Sequence, residues 1–71
     1  MPLVNMKVIE GVFSPAQKAQ LVHNLTEAVV AVEGEALRGV TWVVIEEVKS
    51  GDWAIGGQAL TSDAVLRMAA G

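Results

Sequence analysis

The chain is 71 residues long, carries a formal net charge of −3 and is 52% hydrophobic. That length holds one domain, residues 1–71, with a thin core, since a domain this small buries only about 60% of the surface its unfolded chain exposes. No cysteine means no disulfide, thiolate or cysteine–metal chemistry. One histidine makes no zinc set, and five lysines and arginines make no basic stripe for nucleic acid.

Leu3–Ile9 alternates as a strand does, with Pro2, Val4, Met6 and Val8 on one face and Leu3, Asn5, Lys7 and Ile9 on the other. Gly11 ends it. Ser14-Pro15-Ala16-Gln17 then opens a helix: Ser14 caps, Pro15 suits the first helical position, and Gln17 completes a capping box. The helix is expected from Pro15 to about Val32. Leu21, Leu25, Ala28, Val29 and Val32 form a core-facing stripe of roughly 100°. Val30, Ala19 and His23 fall away from it, and Gly34 is the stop. Val40–Val48 reads as a second strand, apolar on both faces and therefore expected to be covered on both. Strand–helix–strand at this spacing is a βαβ unit with parallel strands and a right-handed crossover. Ser50–Gln58 is glycine-rich, and Gly56-Gly57 suits a tight hairpin. Thr61–Ala70 is expected as a short helix or a packed tail.

Two parallel strands and one helix cannot cover themselves, and the mean hydropathy of +0.44 is high for so small a chain. Self-association is the expected remedy, because disulfides and metals are absent as alternatives. No run of about 18 apolar residues is present, so no membrane span is expected. Met1–Glu10 lacks a basic region followed by an apolar stretch. It does not read as a signal peptide, and the cytoplasm is the expected location.

The usual catalytic inventories come out nearly empty. Gly51, Gly56 and Gly57 lack the spacing and lysine of a phosphate loop. Glu10, Glu46 and Glu47 read as salt-bridging or solvated carboxylates. Pro2 is the exception. Removal of Met1 would leave a secondary amine at the start of an apolar strand, and burial lowers the pKa of such an amine towards neutrality. A base tuned in that way works at physiological pH.

Pro2 ahead of an apolar strand, Glu10-Gly11, the Ser14–Lys18 helix opening, a second apolar strand and Gly51-Asp52-Trp53-Ala54-Ile55-Gly56-Gly57 together resemble the 4-oxalocrotonate tautomerase family. The resemblance runs from Pro2 to about Ala59. It implies an α/β (α+β) fold, a β-α-β subunit with a C-terminal hairpin. It also implies dimers that pair sheets and commonly assemble into a hexamer. The activity implied is cofactor-free keto–enol isomerisation of a small enol or 2-oxo acid, with the amino-terminal proline as base and acid.

Carried over position by position, Pro2 is the catalytic base, and Trp53 takes the place of an aromatic residue that keeps the site apolar. Two family arginines are missing, their positions being Val12 and Trp42. Loss of one electrostatic stabiliser typically costs about 10²–10³ in rate. A less charged, more aromatic or aliphatic substrate is therefore expected in a pocket of Val12, Trp42 and Trp53. Arg38 is the candidate replacement guanidinium, against the plainer reading of an exposed loop arginine. The alternative to an enzyme is a non-catalytic structural subunit that joins an arginine-bearing chain in a mixed oligomer.

Overall fold

The computed structural model describes all residues, Met1–Gly71. Strand β1 (Leu3–Ile9) leads through a turn at Gly11 into helix α1 (Pro15–Glu33), followed by a 3-10 turn (Glu35–Val40) and strand β2 (Trp42–Val48). Short strands β3 (Trp53–Ile55) and β4 (Gln58–Leu60) and helix α2 (Ser62–Ala70) complete the chain. The first strand, the βαβ unit and the hairpin are as the sequence predicts, and the terminal segment takes the helical of its two expected forms. The second strand begins at Trp42 rather than Val40, because Glu35–Val40 closes into the 3-10 turn.

β1 and β2 pair in parallel from Leu3↔Trp42 to Ile9↔Val48. Just ahead of the ladder the Trp42 N–H donates to the Pro2 carbonyl at 3.0 Å, which fixes Pro2 beside the start of β2. The capping box of α1 is complete: Gln17 N–H donates to Ser14 Oγ at 3.1 Å, and Ser14 N–H donates to Gln17 Oε1 at 2.9 Å. Gly34 ends the helix at φ 100°, a conformation a Cβ would disfavour. Gly56 and Gly57, at φ 59° and 83°, turn β3 into β4.

The core is Val8, Ile9 and Val30. Val4, Met6, Val43 and Ile45 are half-buried on the face that α1 covers, while Leu3, Trp42 and Val44 stand exposed on the other. The expectation that β2 is covered on both faces therefore does not hold within one chain. The helix stripe is corrected too. Val30, read as lying away from the core, is buried, and Val32 is 91% exposed. Residues two apart on a helix point in nearly opposite directions, so packing on Val30 turns Val32 outward.

Glu47 ties these layers together. Lys18 Nζ of α1 meets its Oε1 at 2.6 Å, and the Gly11 N–H points to Oε2 at 3.4 Å. Beyond β2, Ser62 docks α2: its hydroxyl donates to the Glu10 carbonyl at 2.5 Å, and its N–H donates to Ser50 Oγ at 2.9 Å. No helix is long and apolar enough to cross a membrane.

Candidate functional site

Pro2 is half-buried at the N-terminal end of β1. Around it opens a hollow of about 660 Å³, walled by Leu25, Ala28, Val29 and Val32 of α1, by Leu37 of the 3-10 turn, and by Met1 and Glu33. Four of the five residues expected to face the core, Leu25, Ala28, Val29 and Val32, thus wall this hollow, and Ala28 and Val32 are exposed. Ordinary burial physics makes such a place unfavourable for an isolated charge and favourable for a neutral amine. With Met1 attached, the Pro2 nitrogen is a tertiary amide without a basic lone pair.

Glu33 is the group that sequence reasoning missed. It is the last residue of α1, and its Oε2 accepts a hydrogen bond from Thr41 Oγ1, the hydroxyl next to Trp42. Its Oε1 is buried and has no hydrogen-bond partner. Glu33 is the only charged side chain in the wall of the Pro2 hollow. Its position one residue before Gly34 was the available signal, since a helix end facing a strand start brings its side chains over that strand's first residues.

Trp42 adjoins Pro2 through the backbone but stands 58% exposed on the uncovered sheet face. Arg38 lies outside the wall of the Pro2 hollow, and its donors are engaged. Nε and Nη2 reach the Glu35 carboxylate at 2.7 and 3.1 Å, and Nη1 and Nη2 reach Glu27 at 2.5 and 3.2 Å. These bonds raise the pKa of Arg38, Glu27 contributing most, and hold the Glu27 and Glu35 carboxyls below the usual carboxylate value. Neither clamp was legible in the sequence: the 3-10 turn that sets Glu35 beside Arg38 was not expected, and Glu27 lies eleven residues away.

Val12 and Trp53 come together elsewhere. They line a second hollow of about 360 Å³ with Ile9, Phe13, Val65 and Met68, which runs along the C-terminal half of β1 from Met6 onward. Met6, the lining residue nearest Pro2 along β1, is about 13 Å from it at 3.3 Å per residue, and Val12 and Trp53 follow the far end of the strand. One chain therefore holds the expected site residues in two groups: Pro2 with Trp42, and Val12 with Trp53. His23 is exposed on α1, and Glu10 and Glu46 are hydrogen-bonded to Ser50 and Asn5.

The parallel βαβ unit with a glycine hairpin behind it is the fold of solved homologues of 4-oxalocrotonate tautomerase. Among solved structures, YwhB, a homologue of 4-oxalocrotonate tautomerase, superposes with a TM-score of 0.73 at 34% identity, over 82% of this chain and 92% of that one. TomN, a homologue in the tomaymycin biosynthetic pathway, superposes with a TM-score of 0.75 at 29% identity, over 96% and 95%. The chain belongs to the tautomerase enzyme family, whose model matches residues 2–62. The probable tautomerase K2 of Dickeya dadantii is 34% identical over 61 residues, 86% of this chain and 90% of that protein. The probable tautomerase RSp0893 of Ralstonia nicotianae is 40% identical over 57 residues, 80% and 79% respectively.

Proposed function

We propose that this chain is a cofactor-independent keto–enol tautomerase whose Pro2 amine, freed by removal of Met1, carries the proton. The observation that supports this most is the place of Pro2: half-buried, pinned by Trp42 and facing an apolar wall. In the ketonising direction the Pro2 lone pair takes the enol O–H proton. The oxygen electrons close the carbonyl, and the C=C electrons take a proton at carbon from the prolinium. Nitrogen ends neutral, and no electron or atom is gained. General acid–base catalysis of this kind contributes about 10²–10⁴-fold.

The division of Pro2 and Trp53 between two ends favours a site completed by a second copy, whose Val12–Trp53 hollow would abut the Pro2 end of the first. A hexamer of paired chains is the assembly this reading expects. Val12, Trp42 and Trp53 give it an apolar, aromatic lining, which fits an aryl or alkyl enol or 2-oxo acid. Arg38 serves as a clamp between the 3-10 turn and α1.

A non-catalytic structural subunit is the second reading. Val12 and Trp42 at the two family arginine positions favour it, as does the engagement of Arg38 by Glu27 and Glu35. One experiment separates the two. The chain is purified alone, its N-terminus is read by intact mass, and ketonisation of an aryl enol pyruvate is followed. The first reading expects turnover that falls by about 10²-fold or more in Pro2→Ala. The second expects none from the mature chain alone, and turnover once an arginine-bearing relative is added.

A further inference from the structure

The Glu33 carboxylate is an anomaly in the chain as it stands. One oxygen is held by Thr41, and the other is buried without a donor, an arrangement that folded proteins rarely tolerate. Glu33 helps to line the hollow that Pro2 also lines, and Thr41 precedes the residue that holds the Pro2 carbonyl. While Met1 is attached, the Pro2 nitrogen has no hydrogen to offer. Removal of Met1 creates a donor in the same hollow that the Glu33 side chain helps to line.

We infer that Glu33 is a positioning residue for Pro2: in the mature chain its Oε1 accepts a hydrogen bond from the Pro2 N–H. This inference rests on the proposed role of Pro2 and goes beyond it in assigning a partner to that amine. A neutral secondary amine has one N–H and one lone pair. Binding the N–H to Glu33 aims the lone pair away from α1, towards the open mouth of the hollow. In the protonated amine the second N–H takes that same direction, so the proton is accepted and returned along one line.

The carboxylate also favours the charged amine, in opposition to the apolar wall. The surroundings contain little else that acts on it. From α1 the hollow receives Glu33 as its one charged side chain, and β1 contributes no ionisable side chain there. From the 3-10 turn Leu37 faces it, while Arg38 is engaged with Glu35 and with Glu27 of α1. His23 lies on the same helix near Glu27. From β2 come Thr41, which precedes the strand, and Trp42, both uncharged.

The test is a titration that needs no substrate. Pro2 and Pro15 are the only prolines, so uniform 13C-proline labelling of the mature protein reads the Pro2 ring carbons directly. The inference expects the proton affinity of Pro2 to fall by about tenfold or more in Glu33→Gln. Thr41→Val, which removes the other partner of the carboxylate but leaves its charge, should not lower that affinity. An equal Pro2 midpoint in the wild type and Glu33→Gln overturns the inference, as does an equal fall in both variants, which marks a general disturbance of the hollow. Either result leaves the role of Pro2 itself standing, because that depends on turnover in Pro2→Ala and not on this midpoint.

Discussion

Glu47 joins three parts of the chain at one carboxylate: it is carried by β2, paired with Lys18 of α1 and bonded to the Gly11 turn. The Lys18 hydrogen bond, helped by the Gly11 N–H, holds its carboxyl below the usual value of 4.5. A carboxyl that binds its proton more weakly when folded stabilises the fold above its unfolded pKa and loses that contribution as the pH falls through its lowered folded value. The melting temperature should therefore drop as the solution is acidified below pH 4.5, and Glu47→Gln should show a shallower drop. Thermal scans of both proteins across that range check it; identical acid slopes would remove Glu47 from the account. The sequence marked Glu47 as a salt-bridging or solvated carboxylate, but its partner was not legible. Lys18 lies 29 residues away, and only the crossover of α1 brings the two together.

The elements differ in how far the sequence exposes them. The opening of α1 was legible because a capping box is a local contact over three residues. The hairpin was legible because Gly56 and Gly57 supply the positive φ its turn needs. The rotation of α1 was not, because it depends on which side chains meet β1 and β2. Val30 is buried there, although it lies about 160° round the helix from Val32. The two valines should behave differently on truncation. Val30→Ala removes core packing and should cost about 2 kcal/mol in denaturant unfolding. Val32→Ala should leave stability within about 0.5 kcal/mol and instead raise KM, since Val32 walls the Pro2 hollow. Glu33 escaped the sequence reading for a related reason: periodicity sorts apolar residues and is silent on a carboxylate that closes a helix over a strand start.

The whole molecule is elongated, 43 × 23 × 17 Å, with a radius of gyration of 14.7 Å. A compact domain of this length would be near 11 Å. Three buried residues and a bare sheet face bearing Leu3, Trp42 and Val44 tell the same story: the chain does not cover itself. Composition and the lack of cysteine pointed to association, but the division of the site residues between the two ends needed coordinates, because it depends on the length and parallel pairing of the strands. The central claim is that a Pro2 amine works in a cavity completed by the Val12–Trp53 end of another copy. Complementation tests it most directly. Pro2→Ala and Trp53→Ala are unfolded together, refolded as a mixture, and assayed for ketonisation beside each variant refolded alone. The account predicts more turnover from the mixture than from the two variants summed, because some cavities then combine an intact Pro2 with an intact Trp53. Turnover equal to that sum, in oligomers shown by mass to contain both variants, would contradict it.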